Sequence, residues 1–272
     1  MPRMTPSEYL NRYHRLAYVL DDWTGGIAEV SRYVLGASGS VWDSRSLMLN
    51  GIAHELNSQP GATRVNAWHL PDSFVIDGSI LHKRNIMHVY TGKASPDEMA
   101  DVIWLAHRFG LITNPARPRR DSKSVERFVA DTLGCDCNGL TGNYFGINPN
   151  TAIDSYAVAS RRRRSVEDIR PGDVLISTVG GHREHIALVD SVGAGQSRGT
   201  HTVNIVEWGT QGQRNHSSSR EVRFQTDSNG GGLFFEYTSR SQRHLNERGR
   251  RYVFGPPPAD NAHRGYAMAA AA

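Results

Sequence analysis

Apolar and polar positions in the first half of the chain predict mainly helices. Thr5-Pro6-Ser7-Glu8 places a hydroxyl N-cap, a proline and a glutamate in the order of a capped helix, which we expect to run to about Asp22. Ser95-Pro96-Asp97-Glu98 repeats the pattern and predicts a helix that ends near Gly110. Other expected elements are helices at residues 43–56 and about 122–134, and short strands at residues 74–76 and 86–90.

Beyond residue 165 the pattern changes to short apolar runs that are separated by glycine-rich turns. These runs are residues 174–177, 185–191, 203–208, 222–225, 233–237 and 252–254. Runs of this length predict an antiparallel sheet of five or six strands.

A proline- and arginine-rich stretch at residues 113–121 is typical of a surface connection and indicates a domain boundary. The predicted fold class is therefore α+β, with a mainly helical N-terminal domain of unknown role at residues 1–115 and an α+β domain at residues 116–258. Residues 259–272 are expected to form a disordered tail.

The composition is that of a globular protein. The chain has 272 residues, 38% of them hydrophobic and 21% charged, so it is long and apolar enough to build a packed core. No apolar run approaches the roughly 20 residues of a membrane helix, so no membrane insertion is expected. The net charge of +4 is spread along both halves, which argues against a nucleic-acid partner.

The N-terminus and the cysteines suggest where the protein is made. The first residues lack the apolar core of a signal peptide, so synthesis in the cytoplasm without a signal peptide is expected. Only Asp136 separates Cys135 from Cys137, a spacing that would strain a mutual disulfide, so both are expected to be free thiols. Cys135 is expected to be a small buried hydrophobe.

Cys137 is the candidate nucleophile, because it lies where one helical pattern has ended and another can begin. The free N–H groups at a helix N-terminus favour a thiolate. His185, at the start of an apolar strand, is the candidate acid and base, whereas His182 is expected in a loop. Glu207, on the next predicted strand, is the candidate for orienting the imidazole, with Asn204, Gln211 and His201 as alternatives.

Four short motifs that contain these residues follow one another along the chain. They are Asp136-Cys137-Asn138-Gly139-Leu140, Arg170-Pro171-Gly172-Asp173-Val174-Leu175, Glu184-His185-Ile186-Ala187-Leu188-Val189 and Val206-Glu207-Trp208. Over about residues 122–255 this arrangement resembles the NlpC-like and CHAP-like cysteine amidohydrolases and peptidases of the papain-like superfamily.

The resemblance implies a papain-like domain in which the helix that carries the cysteine packs on an antiparallel sheet. It implies that Cys137 attacks an amide carbonyl, that His185 transfers protons and that Glu207 orients His185, with no cofactor and no metal. The backbone N–H of Cys137 and a neighbouring donor would bind the oxyanion.

The resemblance also implies a substrate class. Related enzymes cut amide bonds in bacterial peptidoglycan, so a peptidoglycan stem peptide is the first expected substrate. Peptidoglycan lies outside the membrane, and no signal peptide is visible. The expected settings are therefore a phage-type lysin released by lysis, or a toxin effector exported by a dedicated secretion system and paired with an immunity protein.

Other interpretations remain open. The chain could be a cytosolic thiol hydrolase or acyltransferase that acts on proteins or small amides, or a non-catalytic papain-like binding module. Arginines 161–164 fit either a polyanion site or a solvated loop. A zinc site is conceivable by ligand type alone, although the spacing is not that of the usual zinc motifs; its ligands would be Cys135, Cys137, His182 and His185.

Overall fold

The computed structural model describes residues 4–36, 39–209, 216–228, 231–240 and 245–258. These residues form helices and antiparallel sheets, so the α+β class predicted from the sequence is confirmed. Within the described ranges, no helix is both long enough and apolar enough to cross a membrane. The chain forms two compact units, Arg12–Asp136 and the described residues of Met1–Asn11 with Cys137–Ala272.

The elements up to residue 136 are helices and two short hairpins. In order they are α1 (Pro6–His14), β1 (Leu16–Val19), β2 (Gly25–Ala28), α2 (Ser40–Asn57), β3 (Ser73–Ile76), β4 (Ser79–His82), α3 (Lys83–Val89), α4 (Pro96–Arg108) and α5 (Val125–Thr132). β1 pairs with β2 and β3 pairs with β4, both antiparallel. This part of the chain thus contains two hairpins beside its helices.

Helix α4 begins where its capping sequence predicts. The Ser95 side chain accepts a hydrogen bond from the backbone N–H of Glu98, and the Glu98 carboxylate accepts one from the N–H of Ser95. This reciprocal pair satisfies two N–H groups that a helix start leaves without partners. The helix buries Met99, Val102 and Ile103 on its apolar face.

Two predictions in this unit are wrong. The first helix ends at His14 instead of about Asp22. The reason is that Leu16–Val19 forms strand β1, and the chain turns at residues 20–24 so that β2 can pair with it. The side chain of Asp22 closes that turn by accepting from the N–H of Thr24 at 3.0 Å. The predicted strand at residues 86–90 lies in α3, where Ile86 and Val89 share one buried helical face. So short an apolar run does not distinguish the two periods.

The second unit is built on one large sheet. Its elements are α6 (Cys137–Phe145), α7 (Ile153–Tyr156), two short 3-10 helices (Ala159–Arg161 and Val166–Asp168), β5 (Val174–Val179), β6 (His182–Ala194), β7 (His201–Glu207), β8 (His216–Val222), β9 (Gln225–Thr226), β10 (Leu233–Arg240) and β11 (Leu245–Phe254). The seven described strands pair antiparallel in the order β8-β7-β6-β5-β11-β10-β9. The run predicted at 222–225 is divided between the end of β8 and β9.

Alternate residues of the central strands build a buried apolar cluster. Its members include Leu175, Ala187, Val189, Val203, Ile205, Phe235 and Val253. Successive strand residues point to opposite faces, so His185 shares a face with Ala187, Glu207 with Ile205 and Arg251 with Val253. Ser177 pairs with both His185 and Arg251, which places these residues in one row across the sheet. The row of polar residues therefore lies next to the apolar cluster in the same sheet.

The compact units divide between Asp136 and Cys137, whereas the sequence analysis places a boundary near residue 115. The difference arises from helix α5, which packs against α2 and β2 within the first unit. On this helix Phe128 and Val129 are buried apolar residues. The predicted tail at residues 259–272 lies outside the described residues.

Candidate active site

Cys137 is the first residue of α6, and its side chain is largely buried. The Thr141 hydroxyl donates a hydrogen bond of 2.9 Å to the Cys137 carbonyl, four residues earlier. The first N–H groups of a helix have no partners within the helix, and together with the helix dipole they favour a negative charge there. The thiol of Cys137 therefore lies at the positive end of the helix dipole.

Cys135 occupies a different environment from Cys137. The backbone is still extended at Cys135, which forms a parallel bridge with Tyr33. Its side chain is fully buried, as predicted for a small hydrophobe, and burial raises the pKa of its thiol well above the usual range. Both cysteines are free, as expected from their spacing.

His185 lies between Cys137 and Glu207. Its Nε2 atom is 3.0 Å from Oε2 of Glu207, and the thiol of Cys137 lies near enough to raise the pKa of the ring. Because Nε2 is engaged by Glu207, Nδ1 is the ring nitrogen available to the thiol. The structure thus brings together the three residues that the sequence analysis selects.

The surroundings of His185 favour the protonated ring. Burial opposes the positive charge, but the hydrogen bonds to Cys137 and Glu207 and the negative charges of both groups outweigh it. The result is a pKa of His185 raised to about 9. At neutral pH the ring is therefore an imidazolium that can pair with a thiolate and donate a proton.

Glu207 is a buried carboxylate that contacts Arg251 and Arg220 as well as His185. Nη2 of Arg251 lies 2.9 Å from Oε2, and Nη2 of Arg220 lies 3.6 Å from Oε1. Burial alone would raise the pKa of Glu207, but the charge of Arg251, the hydrogen bond of His185 and the charge of Arg220 hold it well below its usual range. Glu207 is therefore a charged carboxylate beside the imidazole of His185.

The sequence analysis missed both arginines. Arg251 follows Glu207 by 44 positions and belongs to no local motif. One signal was present, since Arg251 has the same strand phase as the apolar Val253 and so is directed inward. A charged residue at an inward position needs a buried partner, and here the partner is Glu207.

The alternatives for the third residue have other contacts. Asn204 donates to the hydroxyl of Ser191 at 2.7 Å, and the ring of His201 lies 5.7 Å from that of Phe224. Gln211 lies outside the described residues. His182, expected in a loop, is the exposed first residue of β6. Of the described candidates, Glu207 is the residue that the structure places against His185.

The Pro171-Gly172-Asp173 motif forms the turn that leads into β5. Gly172 has a φ of +84°, and a Cβ atom at this position would lie 3.0 Å from the Tyr144 hydroxyl of α6. Both facts favour glycine, which has no side chain to strain or clash. The Gly172 N–H donates to the Val189 carbonyl, so the turn is attached to the strand that carries His185.

Three of the four consecutive arginines have contacts within their own unit. Arg161 donates to the carbonyl of Ser155 at 2.7 Å, and Arg162 lies over the rings of Tyr252 and Phe254. Arg163 makes two hydrogen bonds of 2.7 Å to the fully buried Asp173. These contacts give the run a structural role, and a polyanion site is not needed to explain it.

No group of three or more His, Cys, Asp or Glu side chains within the described ranges is arranged to hold a metal ion. The site described above brings together a thiol, an imidazole, a carboxylate and a guanidinium. A nucleophile that contacts a base, which is in turn held by a third group, is suited to covalent catalysis of acyl transfer. No family model, curated protein or solved structure matches the chain.

Proposed function

We propose that this protein is a cysteine-dependent hydrolase of amide or peptide bonds, with Cys137, His185 and Glu207 as its catalytic triad. The observation that carries the proposal is the position of His185, whose Nε2 atom lies 3.0 Å from Oε2 of Glu207 and whose ring is near enough to the thiol of Cys137 for that group to raise its pKa. The helix that bears the cysteine and the antiparallel sheet that bears the histidine support a papain-like fold.

In the acylation step, the Cys137 thiolate attacks the carbonyl carbon of the amide and forms a carbon–sulfur bond. The backbone N–H of Cys137, at the start of α6, is a donor for the oxyanion; one such donor is typically worth about 3–4 kcal/mol. The carbon–nitrogen bond then breaks, and the His185 imidazolium gives its proton to the departing amine. The products are a free amine and a thioester on Cys137.

In the deacylation step, neutral His185 takes a proton from water, and the hydroxide attacks the thioester carbonyl. The carbon–sulfur bond breaks, the acyl group leaves as a carboxylic acid, and the thiolate and imidazolium are restored. Glu207 holds the ring through Nε2 in both steps, so the Nδ1 side remains directed at the sulfur.

The proposed substrate is a peptidoglycan stem peptide, with the protein acting as an endopeptidase or amidase. The support is the resemblance of the four motifs to NlpC-like and CHAP-like enzymes, together with the Cys-His-Glu arrangement. Cleavage of the cell wall would fit a toxin effector that has an immunity protein, or a phage-type lysin.

The first experiment needs no knowledge of the substrate. The alkylation rate of each cysteine is measured against pH by mass spectrometry in wild type, His185→Ala and His182→Ala. We expect Cys137 to react rapidly well below the free thiol pKa of about 8.5 and to slow in His185→Ala. The exposed His182 is the matched control, and its variant should behave as wild type.

The second experiment tests the substrate class. Purified sacculi are incubated with wild type, Cys137→Ala and Cys135→Ala, and the released fragments are identified by mass spectrometry. We expect release by wild type and Cys135→Ala but not by Cys137→Ala. An activated Cys137 that releases nothing from sacculi would leave the hydrolase proposal standing and refute the peptidoglycan substrate.

A further inference from the structure

Glu207 is held between two cations, and the second cation is not part of the proposed triad. Its Oε2 atom lies 3.0 Å from Nε2 of His185 and 2.9 Å from Nη2 of Arg251. Both Glu207 and Arg251 are buried, with exposures of 4% and 5%. One carboxylate oxygen therefore joins the imidazole to a guanidinium away from solvent.

Burying Arg251 at this position costs hydration free energy, because its charged side chain is removed from water. Its Nε and Nη1 atoms are buried with no hydrogen-bond partner in the part of the chain that the structure describes. Its guanidinium lies 5.0 Å from the ring centre of Tyr237, and such a contact offsets part of the lost hydration. The ion pair with Glu207 compensates the buried positive charge of Arg251, and without it that charge would be unpaired.

The charges of the site explain why a cation is needed beside Glu207. A Cys137 thiolate and a His185 imidazolium cancel each other. A glutamate as third residue adds one negative charge, and an uncompensated negative charge nearby disfavours a thiolate. Arg251 supplies the positive charge that returns the buried set to neutrality.

We propose that Arg251 is a positioning residue whose charge neutralises Glu207, so that a carboxylate can orient His185 without suppressing the thiolate of Cys137. This inference rests on the proposed function, because it concerns the state of the same nucleophile. The working unit is then a chain of four groups: Cys137, His185, Glu207 and Arg251.

Other charged and titratable groups around this chain are less able to take over the role. Arg220 on β8 reaches Glu207 at 3.6 Å, but its side chain is 41% exposed and its charge is screened by water. Tyr237 on β10 is neutral in the assay range, since burial raises its pKa. Glu184 on β6 is half-buried and adds negative charge near Tyr237. It therefore cannot replace the positive charge of Arg251.

The test is the pH profile of Cys137 alkylation in Arg251→Met. We expect the profile to move to higher pH by about one unit, which is about tenfold slower reaction at low pH. The matched control is Arg250→Met, which removes the exposed neighbour of Arg251 on β11 and should keep the wild-type profile. The Arg250 guanidinium lies over the ring of Phe234 on β10. Thermal unfolding of each variant reports how much stability is lost.

Two Glu207 variants separate a charge effect from a packing effect. Glu207→Gln leaves Arg251 as an excess positive charge, so its profile should move to lower pH. The double variant Glu207→Gln with Arg251→Met restores neutrality, so its profile should return towards wild type. If Arg251→Met does not fold, two results still test the proposal: the shift of the Glu207→Gln profile to lower pH, and the reversal of that shift in the double variant.

Each outcome has one meaning. If Arg251→Met and the double variant are slowed equally at every pH, Arg251 has only a structural role and the inference is wrong. If wild-type Cys137 is activated and Arg251→Met keeps its profile, the inference fails while the hydrolase proposal stands. If wild-type Cys137 reacts as an ordinary thiol, the hydrolase proposal itself fails.

Discussion

Cys135 and Cys137 show how the position of a residue decides the chemistry of identical side chains. Cys135 ends an extended segment, is fully buried and has a thiol pKa raised by burial. Cys137, two positions later, starts a helix and lies near His185, whose pKa it raises. Reactivity of a thiol follows thiolate formation, so an electrophile should select Cys137.

The raised pKa of His185 predicts a pH dependence of folding stability. Its pKa is about 9 in the folded protein against 6.5 for an ordinary histidine. A group with a raised pKa stabilises the fold fully below its unfolded value and loses that contribution as the pH rises through the folded value. The contribution of His185 to the free energy of unfolding should therefore decrease as the pH rises from about 6.5 to about 9.

The measurement is urea unfolding of wild type and His185→Gln at several pH values across this window. The difference in unfolding free energy should be largest near the acidic end and shrink towards the alkaline end. His182→Gln serves as the control and should show no such trend. A wild-type advantage that stays constant across the window would contradict the assigned charge of His185.

At the scale of elements, the run of four arginines at residues 161–164 attaches the segment with the two short 3-10 helices to the sheet through side-chain contacts. Arg163 reaches Asp173 in the turn before β5, whereas its neighbour Arg164 is exposed. Asp173 also accepts from the backbone N–H of Arg170 and donates its own N–H to the Arg170 carbonyl. The ion pair thus fixes the Pro-Gly-Asp turn and the start of the strand that follows.

Arg163→Gln should lower the free energy of unfolding by about 2 kcal/mol, because it leaves the fully buried Asp173 carboxylate without its cation. The estimate is below the range for a fully buried pair, since the Arg163 side chain is 27% exposed. Arg164→Gln is the matched control and should change stability by less than about 0.5 kcal/mol. Chemical denaturation of the two variants checks the difference, and equal losses would exclude a special role for Arg163.

At the scale of the whole molecule, the unit that contains the site is discontinuous in sequence. Residues 4–11 belong to it together with the residues that follow Asp136. The N–H of Ser7 donates to the Asp190 carboxylate at 2.9 Å, and the Tyr144 hydroxyl donates to the carbonyl of Met4 at 3.1 Å. Two contacts thus attach the first residues to β6 and α6, the elements that carry His185 and Cys137.

Asp190→Ala should weaken this attachment and cost about 1 kcal/mol, the typical net value of one hydrogen bond. Amide exchange of Ser7, followed by mass spectrometry, should become faster in the variant. Asp190→Asn keeps an acceptor oxygen and should retain most of the protection. Unchanged exchange at Ser7 in Asp190→Ala would show that the first residues are held by other contacts.

The sequence alone predicts those features whose causes lie within a few residues. The capping box of α4 works because Ser95 and Glu98 are one helical turn apart, and the turn at Gly172 follows from three neighbouring residues. Prediction failed at Ile86 and Val89, which fit a strand or a helix equally well at that length.

The order of the four motifs also let the sequence select three residues: Cys137 follows a predicted helix, His185 begins a predicted strand and Glu207 lies on the next one. Tertiary structure alone decided that Glu207 pairs with Arg251, 44 positions later, and that residues 4–11 join the unit that carries the site. The physical reason is that these contacts depend on strand register and on burial, which many distant residues fix together. Local patterns determine where elements begin, whereas the balance of buried charge depends on the assembled sheet.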